Sequence, residues 1–168
     1  MELTFLPADP QHAEAIFPEW TAEIAQYSFT APPSTLAECQ AFLTARQEDA
    51  LDGRGLSFTL WKGSEFIGMC SATNLQTKQP ELDIWIKKNA QSQGHGFQAM
   101  TALIALLKKH HSCERFIYTV AAPNQASQRL AEKLGGRLSH IHTATLWTGQ
   151  TWQFWEFAIT SKSLMKAR

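Results

Sequence analysis

Alternating apolar and polar residues over positions 2–6 predict a short, half-buried first strand. Asp9 is placed to cap a helical stretch at 13–27, whose apolar residues recur at helical spacing and which Pro18 interrupts. Thr30-Ala-Pro-Pro-Ser34 reads as a loop. Ser34 or Thr35 then caps a second helix to about Leu51, with Leu36, Cys39, Phe42 and Leu43 on one face, and Asp52-Gly-Arg-Gly55 ends it. Two strands follow at 56–61 and 65–72, joined by the tight-turn sequence Lys62-Gly63-Ser64. Residues 74–80 form a loop.

Next comes Glu81-Leu-Asp-Ile-Trp-Ile-Lys-Lys-Asn-Ala-Gln-Ser-Gln-Gly-His-Gly-Phe-Gln-Ala-Met100. Its start is an apolar, β-branched and aromatic strand at 82–86. A polar loop with Gly94 and Gly96 leads into a helix at 97–109, with Phe97, Met100, Leu103, Ile104 and Leu107 on one face. Lys108-Lys-His-His111 suits the negative end of that helix. Another strand is expected at 115–120. A helix then starts near Asn124, buries Leu130, Ala131 and Leu134, and stops at Gly135-Gly136. Strands at 138–147 and 151–160 pair across Thr148-Gly149-Gln150, and residues 161–168 are expected to fray.

The glycine turn carries the first chemical signal. A strand–turn–helix junction leaves backbone N–H groups free at the positive end of a helix dipole, and glycine lets an anion approach them closely. The spacing excludes a Walker loop, which needs Gly-Lys-Ser/Thr. It also excludes the dinucleotide G-x-G-x-x-G, because Ala99 stands three residues after Gly96. Gln91-x-x-Gly94-x-Gly96 resembles instead the pyrophosphate loop of the GNAT N-acetyltransferases, (Arg/Gln)-x-x-Gly-x-(Gly/Ala). The preceding Glu81-Leu-Asp-Ile-Trp-Ile86 resembles the Glu-Ile-Gly-Tyr-Trp-Leu strand of the RimJ/RimL-like branch, which acetylates N-terminal amines of ribosomal proteins. Asn124-x-x-Ser127 with Lys133-Leu134-Gly135 resembles a second segment of that branch, and the eleven residues from Asn124 to Gly135 match its spacing. Gly136 departs from it, standing where an aromatic residue is usual.

The resemblance implies an α/β (α+β) fold: one twisted mixed sheet of about seven strands, splayed centrally and flanked by four helices. It implies acetyl-coenzyme A as co-substrate, in the splay, held by Ile84, Trp85, Ile86, Gln91, Gln93, Gly94, His95, Gly96 and Phe97 with Asn124, Ser127 and Lys133. His95 is expected to expose its ring near the phosphates. Lys87, Lys88, Arg129 and Lys133 are the cations available to phosphate. A backbone N–H around Ile84 to Ile86 would meet the oxyanion.

Composition adds bounds. At 168 residues, 44% hydrophobic and 18% charged, the chain suits a single soluble domain over 1–168. Its parts would be an N-terminal region (1–80), a cofactor-binding core (81–136) and a C-terminal hairpin (137–160). No apolar run reaches membrane-spanning length, and the first residues lack a signal-peptide pattern. Cys39, Cys70 and Cys113 fit neither a disulfide framework nor a zinc site, so a cytoplasmic location and no metal are expected. The zero net charge hides a division: residues 1–86 carry four Lys/Arg against twelve Asp/Glu, and residues 87–137 carry eight against two. An acidic first half suits a cationic acceptor, and a basic middle a polyphosphate. Nothing in the pattern calls for nucleic acid or membrane; monomer and homodimer are both open.

Acetyl transfer needs a neutral amine. An α-amine, with pKa near 7.7–8.0, is roughly a tenth neutral at pH 7, so a modest base suffices. Glu81 is the first candidate base; the His140/His142 pair, two apart on one strand, is the second. Glu156, among aromatic residues, could receive a cation or simply face solvent. The tyrosine acid of many relatives is replaced by Ala131, which leaves Ser127 or water to protonate the thiolate. The expected activity is direct N-acetylation in a ternary complex, of a protein N-terminal amine first. A polyamine or aminoglycoside is the alternative acceptor, and a non-catalytic acyl-coenzyme A-binding module is the rival class.

Overall fold

A computed structural model describes residues 2–160. Among these, β1 (Thr4–Pro7), β2 (Leu56–Lys62), β3 (Glu65–Thr73), β4 (Glu81–Ile86), β5 (Arg115–Ala121), β6 (Arg137–Thr145) and β7 (Thr151–Thr160) form one sheet. Their spatial order is β1-β2-β3-β4-β5-β7-β6. β4 and β5 are parallel, and every other neighbouring pair is antiparallel. The helices are α1 (Ala13–Ile16), α2 (Leu36–Leu51), α3 (His95–His110) and α4 (Gln125–Lys133). The segment 161–168, expected to fray, lies outside the described residues.

Two cores cover the two faces. On one, Met100, Leu103, Ile104 and Leu107 of α3 are at most 1% exposed and pack with Leu82, Phe116, Tyr118 and Ile159 of the sheet. On the other, Ile16, Trp20, Cys39 and Leu43 pack against Phe66 and Met69, with Trp85 beside them. Side chains alternate along a strand. Leu82, Ile84 and Ile86 therefore face α3 and α4, while Glu81, Asp83 and Trp85 face α1 and α2.

Local chemistry sets the joints. Lys62 pairs with Glu65, so Gly63-Ser64 is a two-residue turn, and Gly63 supplies its positive φ of 63°. Thr35 caps α2 by accepting from the Glu38 N–H, and the Glu38 carboxylate accepts from the Ser34 N–H, a reciprocal N-terminal box. Asn124 caps α4 by accepting from the Ser127 N–H at 3.1 Å. Asn124→Ala should therefore cost about 1 kcal/mol of stability in denaturant unfolding.

The helix expected over 13–27 ends at Ile16. Asp9 caps a 3-10 turn at Pro10–His12, and α1 follows for a single turn. Phe17 is still helical at φ −52° and ψ −48°, but Pro18 has no N–H to donate to the turn before it, and the ladder stops there. Beyond it the chain runs in turns, with bonds such as Trp20 N–H to Ile16 O and Ala25 N–H to Thr21 O. This irregular segment brings Trp20, Ile24, Tyr27 and Phe29 to the middle of the sheet.

That middle is open. β4 and β5 pair at Glu81↔Ile117 and Leu82↔Tyr118 and nowhere beyond. β4 stays on β3 as far as Ile86, and β5 stays on β7 as far as Ala121. Past Leu82, every second residue of β4 turns its N–H and C=O away from β3 into the gap. This is the splay that the resemblance implied.

Candidate active site

On the α3 side the gap widens into a cleft of about 570 Å³. Gly94 is the N-cap of α3, at φ 83° and with no side-chain cap bond. The first-turn N–H groups have no partner within the helix and point to the cleft mouth. A Cβ at Gly94 would meet nothing within 4 Å, so backbone conformation rather than space asks for glycine there. Gln91, Gly94, His95, Gly96 and Phe97 line one wall, Asn124, Ser127, Arg129 and Lys133 the other, and Ile84, Trp85 and Ile86 lie between. Gln91 Nε2 donates to Ile86 O at 2.9 Å, tying the loop to β4. Lys133 Nζ stands 4.3 Å from the Phe97 ring centre. A helix N-terminus with two flanking cations fits a pyrophosphate.

Several expected residues sit elsewhere. Gln93 does not line the cleft, and its amide donates to Asn89 O at 3.0 Å. Lys87 is buried, with Glu65 at 2.8 Å and Glu19 at 3.8 Å; its charge is already met. Lys88 pairs with Glu23. His95 lines the cleft but is buried at 9% exposure, its Nε2 without a hydrogen-bond partner, where an exposed ring was expected.

On the α1/α2 side a second cleft, of about 380 Å³, has aromatic walls that include Trp20, Tyr27, Phe29, Phe42, Trp85 and Phe154. Trp20 and Trp85 stack at 5.8 Å, and Phe29 and Phe154 at 4.6 Å. Glu81 and Asp83 both line it, as does Arg46, which is paired with Asp49 at 2.9 Å. Ile24, Tyr27, Ile84, Trp85, Asn124 and Ser127 line both clefts, which therefore meet through the opening between β4 and β5.

Sequence reasoning passed over Asp83. Its side chain is exposed to solvent in the open cleft, while the mass of protein around the carboxylate penalises its charge. That desolvation pushes its pKa above the usual carboxylate range, against the smaller opposing pull of the adjacent Ile84 N–H. The signal was present in the sequence: the strand that 81–86 resembles has glycine at this place.

Cys70 also lines this cleft. Burial pushes its thiol up to about 12, so it is protonated at neutral pH and a poor nucleophile. Tyr118, its pKa raised by burial, lines the aromatic cleft together with Ser127, which reaches the meeting point of the two clefts. His142 lines neither cleft; it stacks on Phe154 at 5.8 Å and on His140 at 5.9 Å, with Nδ1 3.5 Å from Glu156. His140 and Glu156 lie outside both linings too.

No group of three or more His, Cys, Asp or Glu among the described residues is placed to hold a metal. None of the described helices is long and apolar enough to cross a membrane.

A sheet opened between parallel strands, with a helix N-terminus that has no side-chain cap on one face and carboxylates on the other, is the architecture expected of a GNAT-type acyltransferase. The family described as "Acetyltransferase (GNAT) domain" matches residues 2–137, and the chain belongs to it. Among solved structures, it is similar to RimL, a ribosomal L7/L12 α-N-protein acetyltransferase, in complex with coenzyme A. The TM-score is 0.87 at 19% identity, over 96% of this chain and 95% of that one. It is similar to RimJ of Mycobacterium smegmatis in complex with a coenzyme A disulfide, with TM-score 0.85 at 17% identity over 96% and 83%. A third is the microcin C7 self-immunity acetyltransferase MccE in complex with acetyl-coenzyme A and AMP, with TM-score 0.85 at 18% identity over 95% and 92%. No curated protein sequence matches the chain.

Proposed function

We propose that this chain transfers an acetyl group from acetyl-coenzyme A to a primary amine in the cytoplasm, and that the acceptor is a protein N-terminal α-amine. The observation that carries this reading is the contact between the two clefts: a polyphosphate site and an acid-lined, aromatic cleft meet at one gap in the sheet. Acetyl-coenzyme A would bring an activated thioester. The α3 N-terminus with Arg129 and Lys133 would hold its phosphates, and Asn124 and Ser127 would flank its arm. Gln91, through its bond to Ile86 O, positions the loop. N–H groups of β4 that turn into the gap would meet the oxyanion.

On the acceptor side a β4 carboxylate, Glu81 or Asp83, attracts the ammonium and takes its proton. Ser127, backed by a Tyr118 hydroxyl that burial keeps protonated, stands where the thiolate would be relieved. Direct transfer is favoured over an acyl-enzyme, since Cys70 is a protonated thiol. Another solved acetyltransferase to which the chain is similar, described as modifying the N-terminal serine of ribosomal protein L7/L12 from Salmonella typhimurium, supports the acceptor proposed here.

Mass-detected acetylation tests the acceptor. A synthetic peptide with a free N-terminal serine should be acetylated in preference to spermidine, and the same peptide with a blocked N-terminus should not react. Preference for spermidine would move the reading to small polyamines.

A further inference from the structure

We propose that Asp83, rather than Glu81, is the carboxylate that receives the acceptor's ammonium and takes its proton; this rests on the acetyltransferase reading above. Asp83 is the first residue of β4 beyond its last pairing with β5, and across β3 it stands opposite Ser71. It lies at the edge of the opening where the two clefts join. Glu81 lies two residues further back, about 6–7 Å along the strand. There β4 is still paired on both sides, to Thr73 and to Ile117.

The surroundings favour the transfer. Trp85 shares its face, and Trp20, Phe42 and Phe154 complete an apolar wall around the cleft. Such walls penalise a charged carboxylate and a charged ammonium alike, so a proton passing from nitrogen to Asp83 removes both penalties. Among the other titratable groups lining the cleft, Cys70, Tyr118 and Arg46 do not compete. Cys70 of β3 and Tyr118 of β5 are neutral because burial raises both, and Arg46 of α2 is held by Asp49. Tyr27 comes from the irregular segment and Glu81 from β4 itself; α4 contributes the uncharged Asn124 and Ser127.

The step balances. The ammonium gives one proton to the Asp83 carboxylate, and the freed lone pair forms the new C–N bond to the thioester carbonyl carbon. When the C–S bond breaks, the sulfur keeps its electron pair, and a second nitrogen proton ends on that thiolate. Asp83 returns its proton to water through the cleft mouth. One proton is released for each ammonium acetylated, and no oxidant or reductant enters.

The test measures kcat/KM from pH 5 to 9, with the N-terminal serine peptide and with spermidine, for wild type, Asp83→Asn and Glu81→Gln. Titration with acetyl-coenzyme A and thermal melts accompany each. Wild type should show two limbs: a rise through the Asp83 titration, above the ordinary carboxylate range, and a fall above the amine's pKa. Asp83→Asn should lose the acid limb and need amine already neutral in solution. Its kcat/KM should climb about tenfold per pH unit toward the amine pKa, starting at least a hundredfold below wild type at pH 7.

Binding of acetyl-coenzyme A by Asp83→Asn should stay within about threefold. Its melting temperature at pH 7 should equal or exceed wild type. The sign follows from linkage: with its folded pKa above the unfolded value, Asp83 holds the extra proton in the native state, and its contribution to stability falls as pH rises through that window. A merely structural role would lower the melt instead. Glu81→Gln should keep both limbs. Wild-type turnover with an unchanged profile in Asp83→Asn, or loss of the acid limb in Glu81→Gln instead, overturns this assignment alone. A wild type that binds acetyl-coenzyme A but acetylates neither acceptor overturns the reading and this assignment together.

Discussion

Gly96→Trp should abolish acetyl-coenzyme A binding while leaving the protein folded. Gly96 lies in the first turn of α3, facing the cleft, and a Cβ there would meet Leu130 Cδ2 at 3.5 Å and Ile84 Cδ1 at 4.0 Å, ordinary contacts. Alanine is therefore accommodated, and Gly96→Ala should bind within a few-fold of wild type. An indole has nowhere to go but into the space between α3 and α4 that the phosphates need. A loss of at least a hundredfold in Kd, about 2.8 kcal/mol, is expected. Calorimetric titration checks this, with ATP and NAD as controls. Micromolar binding retained by the tryptophan variant would mean that the cofactor does not lie along the α3 N-terminus.

Gly68→Ala should damage both stability and turnover, because it acts on the strand that carries the site. A Cβ at Gly68 would lie 2.3 Å from Trp85 O and 3.0 Å from Ile86 Cα. Both are backbone atoms, so β4 has to move. Overpacking of this kind costs about 1–3 kcal/mol. At about 2–4 °C per kcal/mol for a chain of this size, the melting temperature should fall by several degrees. Gly68 stands opposite Ile86, next to a bulge at which Leu60 pairs with Gly68 and Trp61 with Phe66. The displaced segment therefore includes Trp85 and Ile86, which line the donor cleft, and turnover should fall further than stability alone explains. An unchanged melt with unchanged turnover would show that β4 yields without consequence.

The elements resting on local rules could be read from the sequence. The α3 face of Met100, Leu103, Ile104 and Leu107, the Gly63-Ser64 turn and the Asn124 cap each need only neighbours a few residues away. The glycine turn was equally legible, although α3 begins at His95 and takes Gly96 into its first turn. What escaped depends on long-range placement. The apolar spacing of 13–27 resembles a helix, yet Pro18 ends it, and Trp20, Ile24 and Tyr27 beyond it line the clefts instead. Lys87 looked like a free cation because Glu19 and Glu65, which neutralise it, are far away in sequence. Asp83 was passed over within a strand read as apolar. Its meaning comes from the register at which β4 leaves β5, and no local pattern encodes that.

If the two clefts bring a thioester and an amine together, release of free thiol from acetyl-coenzyme A depends on the amine. With the N-terminal serine peptide, thiol release should rise and saturate with peptide concentration, and each thiol released should match one acetyl group gained by the peptide. Thiol release that is unchanged by peptide or by any other primary amine, in a protein that still binds acetyl-coenzyme A, would show that no acetyl group passes between the clefts and leave an acyl-coenzyme A-binding module.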